Sequence, residues 1–277
     1  MSISAPRYTM GPLAREPRWN RVRVIVFEGL MRRLGALNIV LIVLGSLIVG
    51  VEVVLFTTPA FVQITSFGAT VGLSNFATPY ESVAYLLLAT LLVASAGAGA
   101  IAGDVANRSI ALYLSRPISP LDYLIGKGSA VGLVLAIFFV IPGIGACLFA
   151  FVVGNVSIDL AALAMGAFVG VGLLATVVFS SLALLMSSLT RRPIFAGAAI
   201  FGVLVTAEIL GALVQGVTRS SQSLFISPIA DVLAVGQAAF GLTPAVNAGE
   251  ALAILLIVTG VSLVTAYLRV RQVEVVG

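Results

Sequence analysis

The sequence contains no histidine and a single cysteine, and these two absences exclude several kinds of site. Without histidine the chain cannot build a histidine-dependent metal site, acid–base pair or Ser-His-Asp triad. Cys147 alone cannot form an intrachain disulfide, and its position within an apolar run favours a buried hydrophobic role. No pair of Asp residues lies in the apolar runs either. We therefore expect no catalytic, metal-binding or cofactor-binding residues, and no enzymatic activity in this chain.

Charge is also scarce, and this scarcity indicates a membrane protein. Charged residues make up 9% of the 277 residues and hydrophobic residues 60%, whereas about a quarter of the residues in soluble domains are charged. A helix needs about twenty apolar residues to cross a hydrocarbon core of roughly 30 Å. Six runs meet this requirement, so we expect an all-α integral membrane protein whose single transmembrane domain covers 35–277. The six runs are 35–57, 82–103, 128–153, 160–189, 194–217 and 251–268.

The distribution of basic residues predicts the orientation of these six spans. With six crossings, every Lys and Arg except Arg219 falls on one side of the membrane. Loops rich in Lys and Arg stay in the cytoplasm, so we expect a multi-pass plasma-membrane protein with both termini cytoplasmic. The net charge of +4 then reflects the orientation in the membrane. We find no soluble basic surface of the kind that binds nucleic acid.

Residues 1–34 are predicted to form a cytoplasmic tail followed by an interfacial helix. Trp19, Val22, Val26 and Leu30 recur at spacings of three and four, which is typical of a helix lying in the headgroup region. Two roles fit this helix: a simple anchor that follows the positive-inside rule, or a lever that links a cytosolic partner to the first span.

The outer connection 218–250 contains a moderately apolar stretch broken by Pro228 and by Asp231. A seventh span there would place Arg269 and Arg271 outside the cell, against the charge distribution. We therefore expect short outer helices between the fifth and sixth spans. The stretch 94–103, "ASAGAGAIAG", permits close helix packing, either within the bundle or at a dimer interface.

The connection between the second and third spans is longer than a turn requires. We expect a short surface helix over 104–114, a break at Pro117, and a new helix with Ser119 as N-cap, Pro120 in its first turn and Asp122 near its positive end. The nearby "IGKG" around Lys127 is not a phosphate loop, because the required Gly and Ser/Thr positions hold Leu121 and Gly128.

Three segments resemble the permease subunits of type-two ABC exporters: "YLSRPISPLDYLIGK", "LMSSLTRRP" and "ISPIADV". The resemblance implies that 104–118 is a coupling helix that docks on a separate ATPase subunit, which would hold the ATP and Mg. It also implies a second permease copy or a paralogue as dimer partner, with membrane lipid around both. The residues implied in ATPase coupling are Asp104, Arg108, Tyr113, Arg116 and Pro117.

Two carboxylates, Glu52 and Glu208, lie within predicted spans, where a charge is costly enough to indicate function. Glu52 is close to the outer end and can reach the interface. Glu208 lies deeper and is the stronger candidate for a translocation path. An ion-gradient-driven transporter or a channel is the alternative function, although such proteins commonly carry several buried ionisable groups near the midplane.

Overall fold

The computed structural model describes residues 18–57, 71–107, 119–153 and 156–275, and all regular structure within these ranges is helical. Two 3₁₀ helices, Leu73–Ala77 and Ser221–Ile226, lie in the connections. The α-helices are α1 Arg18–Arg33, α2 Ala36–Thr57, α3 Thr78–Glu81, α4 Val83–Ala98, α5 Ala102–Ala106, α6 Pro120–Phe139, α7 Ile141–Val152, α8 Ile158–Leu189, α9 Pro193–Thr218, α10 Pro228–Ala239 and α11 Ala248–Val275.

Six helical stretches of the described chain are long and apolar enough to cross a membrane: α2, α4 with α5, α6 with α7, α8, α9 and α11. The prediction of an all-helical protein with six spans is thereby confirmed. The third stretch begins at Pro120 instead of residue 128, because the helix includes two further turns that carry the charged residues Asp122 and Lys127. Helix α10 has 12 residues, too few to cross a membrane.

Helix α1 precedes the first span and packs mainly against α6. Its residues Val22 and Ile25 are buried, at 7% and 5% exposed. Gly126 makes this contact close, because a Cβ there would lie 2.7 Å from Ile25 Cγ2. The opposite side of α1 exposes apolar side chains, which is the arrangement of a helix that lies at a membrane surface. These side chains are Trp19, Val24, Phe27 and Met31.

Helix α8 runs through the centre of the bundle and contacts α4, α6, α7, α9, α10 and α11. Aromatic side chains fill much of the core around it: the rings of Tyr85 and Phe138 stack at 4.8 Å, and those of Phe139 and Phe179 at 5.9 Å. Helices α2, α9 and α11 lie at the periphery and expose many apolar side chains, as a surface facing lipid or another subunit requires.

Candidate functional site

A buried ion pair joins the two ends of the connection between the second and third spans. Lys127 Nζ lies 2.6 Å from Asp104 Oδ2, and the Tyr123 hydroxyl donates to the same oxygen at 2.6 Å. Asp104, Tyr123 and Lys127 are 6%, 1% and 7% exposed. Lys127 Nζ also lies 5.6 Å from the centre of the Tyr123 ring. A buried charge is tolerated when it is paired and hydrogen-bonded, and these three side chains meet that requirement together.

The positions of these residues in the sequence explain why they meet. Asp104 lies in the short helix α5, directly before residues 108–118. Tyr123 and Lys127 follow that segment in α6 and are four residues apart, so they share one face of the helix. The ion pair therefore holds together the chain entering the segment and the chain leaving it.

Ser187 provides a second link, between α8 and the break that separates α4 from α5. Its Oγ accepts hydrogen bonds from the backbone N–H groups of Ile101 and Ala102, both at 2.9 Å, and donates to the Ala98 carbonyl at 3.1 Å. A broken helix leaves backbone groups without their helical partners, and Ser187 satisfies three of them. The short helix α5 is thus fixed to the central helix of the bundle.

Helix α6 begins with the capping arrangement that the sequence suggests. Ser119 Oγ accepts the Asp122 N–H at 3.2 Å, and Pro120 lies in the first turn. Ser119 is exposed and Asp122 is buried. This cap sets the point at which the chain re-enters the bundle, a few residues before Tyr123.

Arg33 extends the polar cluster towards α1 and α2. Its guanidinium donates to the carbonyls of Ala96 and Gly29, at 2.9 and 2.8 Å. Asn38 Nδ2 donates to the Arg33 carbonyl, and the Ser95 hydroxyl donates to Asn38 Oδ1. Burial lowers the pKa of Arg33 from its usual value, and the negative charge of Asp104 partly opposes this shift. Helices α1, α2 and α4 therefore meet around one half-buried guanidinium.

Of the residues implied in ATPase coupling, the structure describes Asp104 alone. Its side chain is buried and contacts Lys127 and Tyr123, so in this structure Asp104 does not lie on an exposed surface. The remaining four lie outside the described residues: Arg108, Tyr113, Arg116 and Pro117.

The two membrane carboxylates lie on different helices and have different surroundings. Glu208 in α9 accepts a hydrogen bond from the Ser227 hydroxyl, and the same Ser227 Oγ caps α10 by accepting the N–H groups of Ile229 and Ala230. Glu208 thereby ties a span to the short helix α10. Glu52 in α2 is half-buried, and its Oε2 has no hydrogen-bond partner among the described residues.

Sequence reasoning missed the contacts of Tyr123 and Lys127 with Asp104, those of Arg33 with α4, and those of Ser187 with the break between α4 and α5. A lysine within an otherwise apolar helix was the available signal, since such a charge needs a partner. Across the described ranges, no group of three or more His, Cys, Asp or Glu side chains could hold a metal ion. The cluster is suited to holding α1, α4, α5 and α6 together.

Comparison with known families gives an independent identification. A family model described as ABC-2 family transporter protein matches residues 28–275. A search of curated proteins finds no match. The family match covers nearly the whole chain, including all six candidate spans and the cluster around Asp104. The chain therefore belongs to the ABC-2 family of transporter proteins and is a membrane subunit of an ABC transporter.

Proposed function

We propose that this chain is the permease subunit of an ABC exporter, driven by a separate ATPase subunit that docks on residues 104–118. ATP and Mg bind to that partner, and a second permease copy or a paralogue completes the dimer. Both termini lie in the cytoplasm of a plasma-membrane protein. The resemblance to type-two exporters supports the export direction. Membership of the ABC-2 family supports the ATPase partner.

The observation that carries the docking proposal is the ion pair between Asp104 and Lys127. It joins α5, which precedes residues 108–118, to α6, which follows them, so a force applied to that segment would reach α5 and α6 together. Ser187 connects α5 to α8, which contacts most of the other spans. This set of contacts provides a continuous mechanical connection from the segment to the centre of the bundle.

Each residue then has a separate role in the proposal. Arg108 and Arg116 contact the ATPase, while Tyr113 and Pro117 shape the segment. Asp104 acts as a positioning residue, since its carboxylate is buried against Lys127. Ser119, Pro120 and Asp122 set the start of α6. Glu208, and less directly Glu52, are the candidates for a translocation path.

Co-purification tests the docking proposal. A tagged full-length chain, purified in mild detergent from its own host, is expected to co-elute with a subunit that hydrolyses ATP. Reversing two charges with Arg108→Glu and Arg116→Glu should remove the ATPase from the eluate. The matched control reverses two exposed arginines of a neighbouring turn, Arg191→Glu and Arg192→Glu, and should retain it.

Two results would contradict the proposal. One is a correctly folded chain that never co-elutes with an ATP-hydrolysing subunit. The other is an equal loss of the ATPase in both double variants, which would show a general effect of positive charge instead of docking at 104–118.

A further inference from the structure

A cavity of about 310 Å³ lies between α1, the start of α2, the α4–α5 break and the start of α6. Five charged side chains line it: Glu28, Arg32, Arg33, Asp104 and Lys127. Four glycines also line it, and a Cβ built on three of them, Gly35, Gly99 and Gly103, meets nothing within 4 Å. The cavity is therefore both polar and open enough to hold a ligand.

The charges in the cavity do not balance. Asp104 is paired with Lys127 at 2.6 Å, and Glu28 with Arg32 at 2.6 Å. Arg33 donates to two backbone carbonyls, and in the described part of the chain no carboxylate lies within salt-bridge distance of it. Burial lowers the pKa of Arg33, which reflects the cost of keeping this cation away from water. Asp104 is close enough to act on this charge but does not form a salt bridge with it, and a half-buried guanidinium without a directly bound carboxylate favours binding of an anion.

The location of the cavity indicates which anions reach it. Helix α1 forms one wall and carries Trp19, Phe27 and Met31 exposed on its outer surface, at 72%, 63% and 54%. An apolar helix face with an exposed Trp lies at the boundary between acyl chains and headgroups. The cavity then lies at headgroup level on the side of the membrane that carries Arg32 and Arg33. At that level the abundant anion is the phosphate of a lipid.

We propose that this cavity binds a phosphate group, either in the headgroup of an anionic phospholipid or as a free phosphate ion, through Arg33 and the neighbouring Arg32. Nε and Nη1 of Arg33 each donate to a backbone carbonyl, which leaves Nη2 to donate to a phosphate oxygen, and such charge-assisted hydrogen bonds are the strong ones. The site does not depend on the proposed ATPase docking. It adds a ligand to the same polar cluster, because Asp104 and Lys127 line the cavity too.

Binding is tested on the purified full-length protein in a non-ionic detergent, by native mass spectrometry with three probes. The probes are dioctanoyl phosphatidylglycerol, inorganic phosphate, and dioctanoylglycerol, which has the same acyl chains and no phosphate. Phosphatidylglycerol is expected to bind and dioctanoylglycerol is not. Arg33→Gln should weaken binding about tenfold, the effect of losing a charge-assisted hydrogen bond. The control Arg269→Gln removes an exposed arginine from the end of α11 and should bind as the parent does.

A second variant avoids the structural role of Arg33. Gly103→Leu fills the cavity without changing a charge, and its Cβ has room. It should also weaken binding, because the Leu side chain would occupy space that the phosphate needs. If inorganic phosphate binds as tightly as phosphatidylglycerol, the source is a soluble phosphate; if only the lipid binds, the source is a headgroup. The proposal is overturned if dioctanoylglycerol binds as well as phosphatidylglycerol, if no phosphate probe binds, or if Gly103→Leu and Arg33→Gln bind as the parent does.

Discussion

Lys127 Nζ lies 2.6 Å from Asp104 Oδ2, and both residues are buried. The two residues belong to different spans and flank residues 108–118. A buried ion pair adds little net stability compared with apolar residues, but loss of one partner leaves an uncompensated charge. The value of this pair therefore lies in fixing one arrangement of α5 and α6, at the point where we propose that the ATPase acts.

Removing one partner of this pair should destabilise the protein strongly. We expect Lys127→Met to lower the free energy of unfolding by about 3–5 kcal/mol, because it leaves the Asp104 carboxylate buried without a cation. The double variant Asp104→Leu with Lys127→Met should recover most of this loss. The measurement is unfolding by SDS in mixed micelles.

The exposed pair on α1 is the control for this experiment. Arg32 and Glu28 also lie 2.6 Å apart, but their side chains are 71% and 49% exposed. Glu28→Gln should therefore cost less than about 1 kcal/mol. Equal effects of Glu28→Gln and Lys127→Met would show that burial does not set the strength of the Asp104–Lys127 link.

The link between α5 and α8 should depend on one hydroxyl. Ser187→Ala leaves the buried N–H groups of Ile101 and Ala102 without an acceptor, and we expect a loss of about 1–3 kcal/mol in unfolding free energy. Ser188→Ala is the matched control, since the Ser188 hydroxyl donates within its own helix to Leu185. That variant should stay within about 0.5 kcal/mol of the parent. If Ser187→Ala leaves the unfolding free energy unchanged, the Ser187 hydroxyl does not stabilise the link between α5 and α8.

The spans and the polar cluster differ in how far the sequence alone predicts them. Six apolar runs predict six spans because the length of a helix across lipid is a local property of the sequence. The start of α6 is also local, since Ser119, Pro120 and Asp122 are neighbours. The pairing of Asp104 with Lys127 depends on how two helices pack, and no spacing rule relates residues separated by a bend.

Arg33 illustrates the same limit. In the sequence it is one of several arginines before the first span, and the positive-inside rule accounts for it fully. In the structure its hydrogen bonds reach Ala96 in α4, a contact between distant parts of the chain. Ser187 resembles Ser188 in sequence, and its different role depends on the break in the helix packed against it.

Lys127 is the only lysine in the chain, which makes its burial directly measurable. In the folded protein we expect an amine-reactive ester to modify Lys127 at least about tenfold more slowly than in the SDS-unfolded protein, because reaction requires local opening. Asp104→Asn should speed the reaction. Peptide mass spectrometry separates this site from the terminal amine. Fast labelling of the folded parent protein would contradict the buried pair.

Glu208→Gln separates the charge of this residue from its structural contact. The amide oxygen of Gln can still accept the Ser227 hydroxyl, so thermal stability should remain within about 1 kcal/mol of the parent. If the carboxylate lines a translocation path, ATP hydrolysis coupled to transport should fall. Glu250→Gln, at an exposed position near the start of α11, is the control and should leave the coupled ATP hydrolysis unchanged. Full activity and assembly of Glu208→Gln would remove Glu208 from the path.

The short helix α10 should make stability depend on pH through Asp231. This side chain is 1% exposed, and neither carboxylate oxygen has a hydrogen-bond partner among the described residues. Burial raises the pKa of Asp231 from 3.8 to about 7. The folded protein then holds a proton that the unfolded chain releases, so stability from this group is fully present below pH 3.8 and is lost as pH rises through about 7.

Thermal unfolding at pH 5 and pH 8 checks this expectation about Asp231. We expect the parent protein to melt at a lower temperature at pH 8, and Asp231→Asn to reduce the difference because an amide does not titrate. Asp159→Asn, at the exposed start of α8, should keep the parent's difference. If the parent protein and Asp231→Asn show the same change in melting temperature between pH 5 and pH 8, Asp231 is not buried as a neutral acid.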